Sequence, residues 1–170
     1  EDKDKQKNAY KIIARLKEQT PTMPQIQLYT MLARVRKKSE EKMPAFRKYL
    51  LSNPEILEKA IIFVASKDFG HKVQKIIYDH IDDFHTYYGE DDESKLEDFS
   101  TGELSTLVTS RAISEGIDIK SVKNIILFSA PRSKGTTTQR IGRALRKDPS
   151  NPEKKANIID FVVGSDIEKE

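Results

Sequence analysis

After Lys59 the sequence alternates between short runs of apolar, often β-branched residues and segments with helical or turn character. This alternation constrains the fold more than any other feature of the chain. Strand-length runs that are nearly continuous in apolar residues, such as Ile125–Phe128, are typical, when helices separate them, of parallel sheets that are buried on both faces. The pattern predicts an α/β fold in which a mostly parallel sheet is flanked by helices. The five runs are Ala60–Ala65, Phe84–Tyr88, Leu104–Thr109, Val122–Phe128 and Ala156–Val163.

Two segments between these runs carry the spacing of amphipathic helices. The first segment repeats apolar residues at helical spacing, at Val73, Ile76, Ile77 and Ile81. The second is marked by Leu96 and Phe99 and is followed by Gly102, a typical helix stop. In such a fold, ligands bind in the loops at the carboxyl ends of the strands.

The chain is expected to divide into a helical leader or linker, residues 1–58, and a domain, residues 59–170. The leader is rich in helix-forming residues, and prolines break it into pieces that each carry an apolar stripe. Its charged stretch from Arg34 to Lys42 is interpreted as a solvated face and connector. The leader could be the end of a linker, an insertion or a brace on the sheet.

Composition excludes several classes of protein. The chain has no cysteine and only three scattered histidines, so thiolate chemistry is excluded and a metal site is not expected. Its apolar runs are far shorter than the ~18 residues of a membrane-spanning helix, and it opens without a signal sequence. We therefore expect a soluble, cytoplasmic chain that does not bind membranes.

A basic segment near the carboxyl end carries the strongest chemical signal. It contains Gln-Arg-Ile-Gly-Arg-Ala-Leu-Arg at residues 139–146, preceded by threonines suited to a helix start. A helix there would place Gln139, Arg143 and Arg146 on one face and an apolar stripe on the other. Guanidinium groups bind phosphate oxygens in a bidentate manner, so this face could hold a polyphosphate. A solvated helix surface is the alternative.

A polar loop follows the third apolar run. Thr109 and Ser110 offer hydroxyl groups at the end of the expected strand, Gly116 permits a tight turn, and Asp118 supplies a carboxylate. Such a loop suits phosphate on one side and ribose hydroxyls on the other. A simple turn with a capping aspartate is the alternative interpretation.

In this order and at this distance, the two stretches resemble motifs V and VI of the superfamily 2 helicases, whose motor is a pair of RecA-like domains. Residues 60–66, Ala-Ile-Ile-Phe-Val-Ala-Ser, look like motif IV of the same family, and the resemblance extends from about Lys59 to Gly164. The Glu-Gly-Ile-Asp ending at residues 115–118 is similar to the branch of DNA repair helicases and restriction translocases more than to DEAD-box RNA helicases.

The resemblance implies roles for five residues at a nucleotide. The catalytic residues would be Arg143 and Arg146, as arginine fingers that reach the γ-phosphate of ATP. Gln139 would couple that phosphate to a partner domain. Asp118, aided by Gly116, would contact the ribose or the partner domain.

The resemblance also implies partners. Ser66, Thr109 and Ser110 would hold the phosphates of a nucleic-acid strand, which we expect to be DNA, with RNA as the alternative. The other partner would be an N-terminal RecA-like domain of the same protein.

The chain lacks the Gly-x-x-x-x-Gly-Lys-[Ser/Thr] loop that cradles phosphates, and it lacks an apolar strand that ends in Asp-Glu. We therefore expect a fragment that is inactive alone, with the Mg²⁺ of ATP held by the missing first domain. The alternatives are a phosphate-binding module without ATPase coupling and a regulatory module on the same fold.

Overall fold

In the computed structural model, the described residues are 7, 11–15, 18, 24, 26–27, 30–31, 34, 38–88, 91–92, 94–110, 122–129 and 155–163. The predicted alternation of strands and helices is confirmed in these segments. The elements are α1 (Lys42–Ser52), a 3-10 helix (Pro54–Leu57), β1 (Ala60–Phe63), α2 (Lys67–Ile77), β2 (Phe84–Tyr87), α3 (Ser94–Thr101), β3 (Thr106–Thr109), β4 (Asn124–Leu127) and β5 (Asn157–Asp160).

The five strands form one sheet in the order β2-β3-β1-β4-β5, and every neighbouring pair is parallel. All residues of β1, β3 and β4 are buried, including the polar residues at the ends of β3 and the start of β4, as expected for central strands of a parallel sheet covered on both faces. Phe63 at the end of β1 pairs with Thr109 of β3 and Leu127 of β4. The carboxyl ends of the strands therefore meet at one edge of the sheet.

Helices cover both faces of the sheet. One core cluster contains Phe46 and Leu50 of α1, Val73 of α2 and the side chains of one sheet face, such as Ile62. The opposite cluster joins the other sheet face to α3, whose Leu96 and Phe99 are buried as their spacing predicts. Glycine ends this helix as expected, because Gly102 adopts φ +90°.

Phe128 lies at the centre of the first cluster and contacts the rings of three other phenylalanines. The Phe128 ring stacks on Phe161 at 5.2 Å, meets Phe46 edge-on at 5.0 Å and lies 5.5 Å from Phe69. These rings join α1, α2 and the ends of β4 and β5. The predicted boundary after residue 58 stays a prediction, although α1 shares this core with the sheet.

The interpretation of residues 34–42 as a solvated connector is wrong for Ser39 and Lys42, which are 1% and 6% exposed. The Nζ atom of Lys42 donates a hydrogen bond to the carbonyl oxygen of Phe128. The reason is geometric, since α1 begins at Lys42 and its first turn lies over the end of β4. The ammonium group therefore meets a main-chain acceptor rather than water.

Polar side chains fasten the 3-10 helix to the amino ends of the strands. Thr106 donates its hydroxyl hydrogen to the carbonyl of Leu57, and the amide of Asn124 donates to the carbonyls of Glu55 and Glu58 at 3.2 and 2.9 Å. These bonds satisfy polar groups that are removed from water.

Gly70 of α2 lies directly against the ring of Tyr88. A Cβ atom built on Gly70 would stand 1.9 Å from the Tyr88 hydroxyl oxygen and 2.8 Å from Cζ. Tyr88 is 4% exposed and follows β2, so its ring is held in the core and has little room to move. Glycine within a helix lowers the stability of the helix by about 1 kcal/mol relative to alanine. Close approach of the ring explains why glycine stands here.

Gly70→Ala is therefore expected to destabilise the domain by about 1–3 kcal/mol, in spite of the better helix propensity of alanine. Urea denaturation followed by circular dichroism measures the change. Adding Tyr88→Phe should restore only part of the loss, because Cζ remains at 2.8 Å from the new methyl group. Stabilisation by Gly70→Ala alone would contradict the contact.

Lys42→Met is expected to destabilise the domain by about 1–3 kcal/mol, because it leaves the buried Phe128 carbonyl without this donor. The same denaturation experiment applies. Lys48→Met is the matched control, since Lys48 is exposed on the same helix, and it should change stability by less than about 0.5 kcal/mol. Equal effects of the two substitutions would refute the role of the Lys42 hydrogen bond.

Candidate functional site

Polar groups collect at the carboxyl edge of the sheet. Ser66 follows β1, Ser110 follows β3, and Tyr88 follows β2, the strand on the far side of β3. Because β1, β3 and β2 are neighbours in register, these residues share one edge. Two of the residues predicted to bind a nucleic-acid strand, Ser66 and Ser110, thus lie at the edge of the sheet where the topology predicts a ligand site.

Ser66 caps α2. Its backbone is extended, with φ −162° and ψ 164°, and its hydroxyl accepts a hydrogen bond from the amide of Phe69 at 3.4 Å. The amides of Lys67 and Asp68, in the first turn, have no acceptor within the helix. The start of α2 therefore presents N–H donors and the positive end of the helix dipole toward this edge.

Thr109 and Ser110 differ in exposure. Thr109 closes β3 and is fully buried, and its carbonyl accepts a hydrogen bond from the Val64 amide at 2.9 Å. Ser110 is half-buried and lies one residue beyond the strand. Of the two residues, Ser110 is the more exposed, whereas Thr109 contributes to the strand hydrogen bonding that positions it.

Tyr88 has a buried hydroxyl group without a hydrogen-bond partner among the described residues. Burial, and secondarily the charge of Asp91, raises the pKa of Tyr88 to about 12. Asp91 also accepts a hydrogen bond from the Tyr88 amide at 2.6 Å, which fixes the turn after β2. The ring of His71 meets that of Tyr88 edge-on at 6.0 Å. Tyr88 is thus a neutral packing residue, as a tyrosine at a strand end is expected to be.

The residues predicted to bind the nucleotide lie outside the described part of the chain. They are Gly116, Asp118, Gln139, Arg143 and Arg146. Their roles stay predictions. Within the described segments, no three histidine, aspartate or glutamate side chains come together in a way that could hold a metal ion. In the same segments, no helix has the length and apolar character needed to cross a membrane.

Comparison with known families decides the class of the chain. The model of the helicase conserved C-terminal domain matches residues 41–148. The chain belongs to this helicase family. The matched range begins one residue before α1 and includes β1 to β4. The predicted assignment to the superfamily 2 helicases is therefore confirmed at the level of this domain.

Curated relatives of this helicase domain are RNA helicases. The chain is 32% identical over 118 residues to the ATP-dependent RNA helicase drs1 of Schizosaccharomyces pombe, which covers 66% of this chain and 15% of that protein. It is 28% identical over 108 residues to the ATP-dependent RNA helicase dbp6 of the same organism, covering 58% of this chain and 18% of the relative. The chain thus spans less than a fifth of each of these relatives.

Solved structures share the fold. The Escherichia coli DEAD-box protein SrmB, bound to the regulator of ribonuclease activity A, matches with a TM-score of 0.55 and 26% identity over 72% of this chain and 71% of that chain. The C-terminal domain of the DEAD-box protein Dbp5 matches with a TM-score of 0.53 and 23% identity over 71% and 72% of the two chains. The predicted RecA-like fold is confirmed.

These comparisons correct one prediction. The motif V ending at residues 115–118 favoured the branch of DNA repair helicases and restriction translocases, and hence DNA as the partner. The curated relatives drs1 and dbp6 are RNA helicases instead, and SrmB, a matched solved structure, is a DEAD-box protein, so DNA binding is not supported. A four-residue loop ending was too short to separate the two branches.

Sequence reasoning missed two contributors to this edge of the sheet. Lys42 was interpreted as part of a solvated stretch, although it fixes the carbonyl of Phe128 where β4 ends. The contact between Gly70 and Tyr88 was not predicted either. A glycine at a core-facing position of an amphipathic helix is the signal that could have indicated close packing there.

The raised pKa of Tyr88 predicts a loss of stability in alkaline solution. Between pH 10 and about 12 the unfolded tyrosine ionises while the folded one stays protonated, so folding loses free energy as pH rises. Tyr88→Phe should remove this dependence. The measurement is the midpoint of urea unfolding from pH 8 to about pH 12, compared between wild type and variant because lysines also titrate there. If the unfolding midpoints of wild type and variant changed with pH in parallel, the raised pKa of Tyr88 would be contradicted.

Proposed function

We propose that this domain is the second motor domain of an ATP-dependent RNA helicase and works with a first RecA-like domain that carries the phosphate-binding loop. The family match over residues 41–148 is the observation that carries the proposal, because all five predicted nucleotide-binding positions fall inside that range. RNA is chosen because the relatives drs1 and dbp6 are RNA helicases.

Arg143 and Arg146 act at the nucleotide in this proposal. Their guanidinium groups stabilise the charge that develops on the γ-phosphate during hydrolysis, which is how arginine fingers act in phosphoryl transfer. Gln139 relays the state of that phosphate between the domains, and Asp118, after the turn at Gly116, holds the ribose or the facing domain. The first domain would hold the Mg²⁺ ion of ATP, which would neutralise part of the negative charge of the phosphates.

The carboxyl edge of the sheet holds the RNA strand in this proposal. The first turn of α2 and the hydroxyl of Ser110 offer neutral donors that bind phosphate oxygens without reading bases. Such contacts suit an enzyme that moves along a strand of any sequence. Because Ser66 already caps α2 with its hydroxyl, its contribution is to hold the free amides of this turn in place.

A phosphate-binding module without ATPase coupling is the competing function, and the basic segment 132–147 is the feature that favours it. That function predicts tight binding of single strands by this chain alone, with an affinity that falls steeply with salt. The motor proposal instead makes nucleotide hydrolysis depend on Arg143 and Arg146.

RNA-stimulated ATP hydrolysis by the intact protein tests the proposal. Arg143→Ala and Arg146→Ala should each lower the stimulated rate by about a thousandfold or more, because the arginine-finger contribution is lost. Arg47→Ala is the matched control, since Arg47 forms an exposed ion pair with Asp79, and its rate should stay within about twofold of wild type.

Circular dichroism and thermal unfolding establish that the arginine variants are folded. If the folded arginine variants kept full RNA-stimulated ATP hydrolysis, the motor proposal would be refuted and the phosphate-binding module would be favoured. Equal stimulation by single-stranded DNA and RNA would leave the motor role standing and overturn the choice of RNA.

A further inference from the structure

The exposed surface of α2 has two chemically different sides. On the side toward α1, Lys72 forms an ion pair with Glu40, and Asp79, just beyond the helix, pairs with Arg47 at 3.5 Å. These charges are engaged within the domain. The other side carries five residues within about 100° of one another on a helical projection, and we call them the α2 ridge. They are Lys67, His71, Gln74, Lys75 and Tyr78.

The α2 ridge carries unengaged positive charge. Lys67 and Lys75 are exposed and form no ion pair with any described residue. Of the three acids between α2 and β2, Asp79 pairs with Arg47 and Asp83 accepts a hydrogen bond from the Ser105 amide, whereas Asp82 is exposed. Asp68, also exposed, lies in the first turn of α2 just outside the ridge. Lys67 and Lys75 are therefore the positive charges that the ridge itself offers to an anionic ligand.

A groove of about 620 Å³ lies along the ridge beside edge strand β2. The groove combines two aromatic rings with the ammonium group of Lys75, and aromatic rings beside positive charge are typical of surfaces that bind single-stranded nucleic acid. Tyr78 is 68% exposed, and its ring is nearly perpendicular to that of Phe84 at a centroid distance of 6.3 Å. The groove is lined by His71, Gln74, Lys75, Tyr78 and Phe84.

The ridge begins where the RNA strand is proposed to lie. Lys67 is the first residue of α2, next to the cap Ser66 at the carboxyl edge of the sheet. From there the helix rise places Lys75 about 12 Å and Tyr78 about 16 Å farther along the domain. His71 links the two regions, since its ring contacts Tyr88 and also lines the groove.

We propose that the α2 ridge is a second RNA subsite, at which a strand leaving the carboxyl edge binds Lys67 and Lys75 through its phosphates and stacks a base on Tyr78. This inference rests on the proposed RNA function. A base is the occupant that suits the open ring of Tyr78, because every base offers a flat face, whereas an acidic protein segment would use only the lysines. The ridge would add affinity without adding sequence preference.

The test compares a short oligouridylate, which fills the carboxyl edge only, with one about twice as long, by fluorescence anisotropy on the intact protein. Tyr78→Ser should weaken binding of the long strand roughly five- to tenfold and leave the short strand unchanged. Tyr78→Phe should bind like wild type, because it keeps the ring. An abasic stretch at the far end of the long strand should abolish the difference between Tyr78→Ser and wild type.

The lysines are tested by their salt dependence. The double substitution Lys67→Gln with Lys75→Gln should reduce the slope of log affinity against log salt by about 1.4 for the long strand, at ~0.7 per lost phosphate contact. Lys48→Gln on α1 is the control, since Lys48 is also exposed but lies off the ridge, and it should leave the slope unchanged.

Failure of the ridge and failure of the RNA function give different results. If wild type binds both strands and the Tyr78 and lysine variants bind the long strand equally well, the ridge subsite is refuted and the RNA function stands. If wild type binds neither strand, both are refuted. If the variants keep RNA affinity but lose binding to polyglutamate, the ridge is a site for an acidic protein and the proposal is wrong.

Discussion

Parallel hydrogen bonding of β1 to both β3 and β4 is the constraint on which the rest of the structure depends. The register places Phe63 beside Thr109 and Leu127, so the strands β1, β3 and β4 end at the same level of the sheet. A slip of one residue would exchange the side chains of the two faces and misplace the loops that follow. The half-buried residues Ser66 and Ser110 share an edge only because this register holds.

Helix α2 connects the core to the functional edge. Its buried side fills the aromatic cluster around Phe128, its capped start faces the carboxyl edge, and its exposed ridge extends away from that edge. A change in how α2 packs would therefore move the amide donors and the ridge together. Ion pairs between residues in or next to α1 and α2 link the two helices on their exposed side, although exposed pairs of this kind contribute little free energy each.

Periodicity and strand character made the fold predictable. The run Val122–Phe128 contains an unbroken apolar stretch, Ile125–Phe128, and the structure places the buried strand β4 within that run. Contacts between distant residues were not predictable, because the burial of Lys42 depends on a carbonyl 86 residues away. Motif spacing placed Ser66 and Ser110 after expected strands, and the structure places both at the carboxyl edge of the sheet, while their role in binding stays a prediction. The same spacing did not indicate which nucleic acid is bound, because contacts to phosphate do not distinguish RNA from DNA, whereas contacts to the 2′-hydroxyl do.

The contact between Gly70 and Tyr88 also bears on how this domain can change during evolution. The Tyr88 oxygen occupies the volume that a side chain at position 70 would need. A larger residue at position 70 therefore requires a smaller one at position 88, acquired beforehand, whereas position 88 can become smaller while glycine stands at 70. Orthologous sequences should record this dependence as covariation, with an intermediate that passes through the loss of the ring.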